Sequence, residues 1–285
     1  MKTKAVLFVM LVPALVLYIL TFAAPMVIAG RLSLFETGFG REAFVGLANY
    51  AKALSDRFFI KSFVNSFVLL FLIVPASIVA AYKISAFLST FDKKTQGVMR
   101  FILYVPGLAA GLVMALLWRW FLHGDGLVNS LLATVHLPGV AWLTDAWPAR
   151  ISVALIIISG GLGTMVLILS ATICGIPQDL RDAAFLDGAS EREYRRYIMR
   201  PIAMPTILLI VLLQIVGIMQ IWEISYMLFY LGGPEGATAS PVYEIFMTAF
   251  LFGKRGLASA KGVMLMVVIA AVIAVKQRLE KWVSS

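Results

Sequence analysis

Six stretches of this chain are apolar for long enough to cross a lipid bilayer, and this constrains its fold more than any other feature. A spanning helix needs about 20 residues. The stretches cover about 5–30, 63–88, 98–122, 150–174, 204–229 and 257–275. They are continuous runs rich in Leu, Ile, Val and Ala, whereas a transmembrane barrel would show alternating strands of about 10 residues. Backbone groups in lipid must bond within their own segment, so the runs are predicted to be helices. Pro13, Pro25, Pro75 and Pro106 fall inside them and predict bends. Lys2 and Lys4 precede the first run as in a signal peptide, but the run is too long for a cleaved apolar region and is expected to be retained. The expected fold is all-α, integral to the membrane, with residues 1–285 forming one transmembrane domain.

Composition supports lipid as the solvent. The chain is 61% hydrophobic and 14% charged, against about 25% charged for a soluble domain. The net charge of +9 is scattered between apolar runs and forms no stripe, which argues against a nucleic-acid partner. An even number of spans places both termini on one side. With that side cytoplasmic, the inner segments 1–4, 89–100, 175–203 and 276–285 hold 13 Lys and Arg in 55 residues, and the outer loops hold 7 in 85. That bias has the direction of the positive-inside rule. Both termini are therefore expected in the cytoplasm.

No chemistry of an enzyme is legible. The phosphate-binding pattern G-x-x-x-x-G-K-[ST] is absent, as are H-E-x-x-H and G-x-S-x-G. His123 and His136 share an outer loop without an acidic helper, and Cys174 sits alone in an apolar run.

The inner loop 175–203 carries its own helix punctuation. Pro177 suits a first helical position, and Asp179 puts negative charge in the first turn. Gly188 can stop that helix in a left-handed conformation. Ser190 and Glu193 fit the capping box S-x-x-E of a second helix, which Arg195, Arg196 and Arg200 favour at its C-terminal end and Pro201 is expected to close. Leu180, Ala183 and Ala184 form an apolar strip on the first helix, and Tyr194, Tyr197 and Ile198 form one on the second. Such faces can pack on the protein's own helix ends or on headgroups, or dock into a cytoplasmic partner.

The run Asp182-Ala183-Ala184, Gly188, Ile198, Arg200, Pro201 resembles the EAA motif of ABC importer permeases, E-A-A-x3-G-x9-I-x-L-P. Asp182 replaces the motif's Glu, and Arg200 replaces its Leu. Phe44-Val45-Gly46-Leu47-Ala48-Asn49-Tyr50 is similar to a segment of the carbohydrate-type permeases. Asn65, Gly126 through Leu131, Ala141-Trp142-Leu143, Gly232-Gly233-Pro234 and Leu257-Ala258-Ser259-Ala260 follow in that family's order. The resemblance implies a type I ABC importer (MetI-like) fold in the bacterial inner membrane, with cytoplasmic coupling helices. It implies a second homologous permease subunit, two ATP-binding subunits that hold ATP and Mg, and an extracytoplasmic solute-binding protein. It implies no cofactor in this chain itself, and a sugar or oligosaccharide as solute. Asp182, Ala183, Ala184, Gly188, Tyr194, Ile198 and Pro201 would then engage the ATPase. A phosphorylated polyol or other organic anion is the alternative solute. An ion-coupled carrier would predict an internal repeat and discontinuous helices at mid-membrane; no convincing repeat is visible, and the EAA-like loop has no role in such a carrier.

Polar groups inside a span are costly and tend to face a cavity or another helix. The fifth stretch holds Gln214, Gln220, Trp222, Glu223, Ser225 and Tyr226. Ile215, Ile218, Met219, Trp222 and Tyr226 share helical spacing, so Met219, Trp222, Glu223 and Tyr226 are the expected pathway residues. An aromatic ring can stack on a sugar face, and a carboxylate can accept a hydroxyl hydrogen bond. Lys83 and Arg119 are expected to snorkel to the interface, and Trp118 and Trp120 to anchor there.

Overall fold

The computed structural model describes residues 11–38, 41–109, 111–229 and 232–284. In chain order they form α1 (Leu11–Leu32), β1 (Phe35–Gly38), β2 (Arg41–Phe44), α2 (Ala48–Ser55) and α3 (Arg57–Leu88). Next come α4 (Lys93–Tyr104) with a 3-10 turn over Val105–Leu108, α5 (Gly111–Phe121), α6 (Leu127–Thr134), α7 (Ala146–Ile173) and α8 (Gln178–Leu186). The last are α9 (Glu191–Met219), α10 (Glu223–Leu228), α11 (Pro241–Leu251) and α12 (Arg255–Ser284). Among the described residues, five helices are long and apolar enough to cross a membrane, and the bent pair α4–α5 makes a sixth span if counted as one. The first expected span begins at residue 5, so its start lies outside the described residues.

Three expectations are corrected. The stretch 98–122 is not one helix with a kink, since its two arms meet at 87°. Pro106 has no N–H, and the chain leaves the 3-10 turn through an extended Ala109, so the ladder stops there. The stretch 204–229 is also not one helix, because α9 ends at Met219 and α10 starts at Glu223. Finally, Pro201 closes nothing. The second loop helix runs through a π turn at Arg195–Met199 into the spanning part of α9. In that turn the Arg200 N–H reaches back to the Arg195 carbonyl, and Pro201 takes a first-turn position, where a missing N–H costs little.

Packing groups the chain into two units, residues 1–61 with 244–285 and residues 62–243. In the first unit, β1 and β2 pair antiparallel as a short hairpin with Phe35 opposite Phe44. Buried Asn49 donates to the Ser33 and Phe35 carbonyls, both at 2.9 Å, and the Tyr50 hydroxyl lies 2.7 Å from that of Ser33. These two motif residues therefore fix the exit of α1. α12 approaches through Gly256, where a Cβ would strike the Phe35 carbonyl oxygen. Lys261 on α12 is 1% exposed. It donates to the Asp56 carboxylate at 2.7 Å and to the Thr248 hydroxyl at 2.9 Å, and it lies 5.2 Å from the Phe59 ring centre. Burial pushes the Asp56 carboxyl up, but the Lys261 bond and charge, with the Phe59 and Phe58 N–H groups, hold it below its usual value. Glu244 is pushed up by burial; Lys261 opposes the shift and the Asp56 charge adds to it.

The second unit has two apolar clusters. One joins Leu69 and Ile73 of α3, Ala115 of α5, Val153 and Ile156 of α7, Ile218 of α9 and Ile224 of α10. The other joins Ala81 and Leu88 of α3, Val166 and Leu169 of α7, Ala184 of α8, and Tyr194, Met199 and Ala203 of α9. The glycines of α7 allow close approach. A Cβ on Gly163 would press on the Leu103 carbonyl, and one on Gly107 would lie 2.7 Å from the Gly160 oxygen.

Candidate functional site

The two helix breaks meet at one place. A cavity of about 320 Å³ is lined by Gly107 and Gly111 at the α4–α5 corner, and by Gly160 and Gly161 at the midpoint of α7. Gln214, Gly217 and Ile218 at the end of α9, Ile221 and Ile224 across its break, and apolar side chains of α5 and α7 also line it. Irregular backbone at membrane depth persists only where it is satisfied internally or lines a cavity. Both conditions hold here. Freed carbonyls find donors: Ile221 from the Ser240 hydroxyl, and Met227 from Arg119 at 3.3 Å. The Gln214 amide donates to the Ser77 hydroxyl at 2.9 Å and also contacts the Met165 sulfur at 2.8 Å. This fixes its side chain beside the cavity. Among the described residues, the lining carries no Lys or Arg.

Expected pathway residues fare unequally. Met219 is 0% exposed and packs away from the cavity. The break at Gln220–Trp222 destroys the helical face supposed to join Ile215 to Tyr226. Trp222 and Tyr226 stay together, ring centres 6.1 Å apart, but neither is in the lining. The Glu223 carboxylate does reach the rim, beside Gly111 at the N-terminus of α5. Gln214, noted in the sequence only as a polar group, and Gly217 are the cavity's own residues. Their signal was a polar residue three positions before a glycine in an apolar helix. Trp118, expected at the interface, is instead bonded to Ser159 at 3.1 Å, and Trp120 is exposed.

A second polar cluster holds the loop around Gly232-Gly233-Pro234. The Asn65 amide donates to the Gly236 carbonyl at 2.7 Å and the Ala239 carbonyl at 3.2 Å. Arg150 bridges the Ala237 carbonyl and the Asn65 side-chain oxygen, each at 3.3 Å. Gly232 and Gly233 have φ of 79° and 86°, a left-handed pair that side chains resist. Asn65 and the GGP run, far apart in sequence, thus form one joint.

The loop between α7 and α9 is bent as its punctuation suggests. Gly188 has φ of 86°, with nothing within 4 Å of a Cβ built there. The Ser190 hydroxyl accepts from the Glu193 N–H at 3.3 Å, and the Glu193 carboxylate accepts from the Ser190 N–H at 2.8 Å. The Ser190 hydroxyl also donates to the Glu193 carboxylate at 2.6 Å, and this bond, with the one from the Ser190 N–H, holds the Glu193 carboxyl below its usual range. The loop residues divide by face. Ala184 and Tyr194 are buried, and Ile198 is half-buried, against α3 and α7. They anchor the bend to the spans. Asp182, Ala183, Gly188 and Pro201 face outward, as do Tyr197 and Leu186, the latter 89% exposed. Arg181 and Glu191 were missed in the sequence. Glu191 accepts from Arg181 at 3.4 Å and Arg195 at 2.8 Å, and the Arg181 guanidinium lies near the Phe185 and Tyr194 rings at 5.5 and 5.8 Å. That cluster clamps the bend across Gly188. The Tyr82 hydroxyl of α3 donates to the Arg195 carbonyl in the π turn at 3.2 Å.

A multi-span helical membrane protein with a glycine-lined cavity at two helix breaks, and a bent helix pair continuous with one span, is a class of membrane translocation subunit. Residues 46–285 match the family of binding-protein-dependent transport system inner membrane components, and the chain belongs to that family. It is similar to the trehalose/maltose transport system permease protein MalF of Thermococcus litoralis, 29% identical, covering 92% of this chain and 89% of that one. It is also similar to the arabinooligosaccharides transport system permease protein AraP of Bacillus subtilis, 23% identical over 97% of this chain and 88% of that one. In fold it matches a chain of a bacterial ABC transporter involved in import of the acidic polysaccharide alginate. There the TM-score is 0.87 and the identity 20%, covering 100% and 98% of the two chains. The fold is that of ABC importer permeases.

Proposed function

We propose that this chain forms half of the translocation pathway for a neutral sugar or oligosaccharide in a binding-protein-dependent ABC importer. The observation that carries this reading is the cavity where the α4–α5 corner and the α9–α10 break meet. Broken helices leave backbone groups near the cavity, Gln214 adds an amide, and the glycines and isoleucines give a surface for the apolar face of a sugar ring. The absence of Lys and Arg from the lining favours a neutral solute over a phosphorylated one. The names of the relatives point the same way.

In this reading a second homologous permease completes the path, an extracytoplasmic binding protein delivers solute, and two ATP-binding subunits with ATP and Mg dock on the loop. The chain itself is non-catalytic and multi-pass in the inner membrane, with both termini cytoplasmic. The outward face of α8, with Asp182 and Ala183, meets the ATPase. Tyr194 and Ile198 pass its motion into α3 and α7, and α9 transmits it toward the cavity, because the loop helix and the span are one helix.

The test is solute uptake by vesicles holding the whole transporter. Gln214→Ala and Gly217→Leu should each reduce uptake strongly, with assembly and basal ATP hydrolysis intact. Trp222→Ala should reduce it less than either. Full uptake with Gly217→Leu, which fills the cavity, would show that solute passes elsewhere.

A further inference from the structure

Between α3 and α9 lies a second cavity, of about 570 Å³, that the solute path does not use. Its lining is sorted along the helices. Lys83, Arg195 and Arg200 sit at the end nearest the loop, and Ile78, Val79 and Ile207 lie deeper in the spans. At 1.5 Å per residue, Ile78 is about 8 Å below Lys83, and Ile207 about 10 Å below Arg200. Lys83 and Arg200 are exposed, and no partner is recorded for either among the described residues. Arg195 gives its Nε to Glu191 at 2.8 Å, which leaves its two terminal nitrogens available. Only one carboxylate therefore offsets three cations. Tyr82, bonded to the Arg195 carbonyl, ties α3 to α9 at the cavity's basic end.

A cationic mouth at the membrane surface over an apolar slot has the polarity of a lipid, with headgroup outward and acyl chain inward. We propose that this cavity binds the phosphodiester headgroup of an anionic phospholipid between Lys83, Arg195 and Arg200, with an acyl chain along Val79 and Ile207. Basic pockets between spanning helices suit such headgroups. Because Arg195 and Arg200 flank the π turn, the bound lipid braces the junction between the loop helix and the span. The inference needs only that α3 and α9 cross the bilayer, and it stands whatever solute the chain carries.

Native mass spectrometry of the full chain, released from nanodiscs of equimolar phosphatidylglycerol and phosphatidylcholine, tests this. The wild type should retain phosphatidylglycerol selectively. Lys83→Gln/Arg200→Gln should weaken that retention about thirtyfold, from about fivefold per cation near an anionic headgroup. Lys93→Gln/Lys94→Gln, the same charge change on α4, should leave it unchanged. Val79→Trp, which fills the slot but keeps the cations, should also release the lipid. Equal retention by the Lys83/Arg200 variant, equal retention of phosphatidylcholine, or displacement by inorganic phosphate alone would overturn the proposal. So would a photo-crosslinker at position 79 that captures a protein chain in the assembled transporter.

Discussion

Adding one methyl group at Gly163 tests why the α4–α5 corner sits where it does. A Cβ there would press on the Leu103 carbonyl oxygen, 2.6 Å from the Leu103 carbonyl carbon and 2.7 Å from the Tyr104 Cα. All three are backbone atoms, so no rotamer change relieves the clash. Ordinary contact at about 3.5–4 Å requires α7 and α4 to separate by roughly 1 Å. Overpacking of this kind typically costs about 1–3 kcal/mol. Gly160, on the same helix, is the matched control, since nothing lies within 4 Å of a Cβ built there. Gly160→Ala should gain roughly 0.8–1 kcal/mol of helix propensity. The two variants carry the same chemical change with opposite expected sign. Thermal unfolding of the detergent-solubilised chain, followed by tryptophan fluorescence, reads the difference. At about 2–4 °C per kcal/mol for a domain of this size, Gly163→Ala should unfold several degrees lower and Gly160→Ala no lower than wild type. Gly160 also lines the cavity, so its variant should lose uptake despite its stability. A Gly163→Ala chain as stable as wild type would refute the claim that backbone contact sets the corner.

Three further outcomes follow from other parts of the structure. At Gly188 the left-handed φ is the whole constraint, so Gly188→Val should cost at least about 1–2 kcal/mol locally and Gly188→Asn much less; ATP-driven uptake should follow that order, while Ala183→Glu should uncouple transport without altering the loop's hydrogen exchange. Lys261→Met leaves Asp56 without its cation, and with 26% of the Asp56 side chain still in solvent the loss should fall near the lower end of the range for breaking a buried pair, about 3 kcal/mol; the double variant Lys261→Met/Asp56→Asn should recover much of the lost melting temperature. Glu193 has its carboxyl pKa lowered in the folded loop by its bonds to Ser190, so its contribution is complete above the unfolded value of about 4.3 and is lost as pH falls through the folded value. The protection factors of amides at the start of the second loop helix should therefore be highest at neutral pH and fall as the carboxyl protonates, and Glu193→Gln should flatten that dependence.

The sequence revealed features set by local rules and hid those set by tertiary contact. Apolar length alone marked the spans, because lipid imposes one requirement on every residue of a helix. The capping box at Ser190 and Glu193 and the bend at Gly188 were legible because each is decided within four residues. Helix ends were not. Pro106 produced an 87° corner where Pro75 left α3 continuous. The difference lies in the next residue and its neighbour: Gly107 packs on the Gly160 carbonyl, a contact 53 positions away that no window reveals. The same holds at Pro201, which looked like a stop until a π turn gave it a first-turn position. The helical face expected to join Ile215 to Tyr226 assumed unbroken spacing through Gln220, where the helix in fact stops. That break is stabilised from outside, by the Ser240 hydroxyl donating to the Ile221 carbonyl, while Arg119 donates to the Met227 carbonyl at the far end of α10. Where a membrane helix stops inside lipid, the donors that make stopping tolerable come from other segments, so function-bearing breaks are the features a single sequence conceals best. Polar residues with no local role, such as Arg119, Arg150 and Asn65, are the traces such breaks leave. Here Arg150 and Asn65 donate to the irregular backbone of Gly236, Ala237 and Ala239, and Arg119 to the last turn of α10, so each marks a place where the chain leaves regular helix.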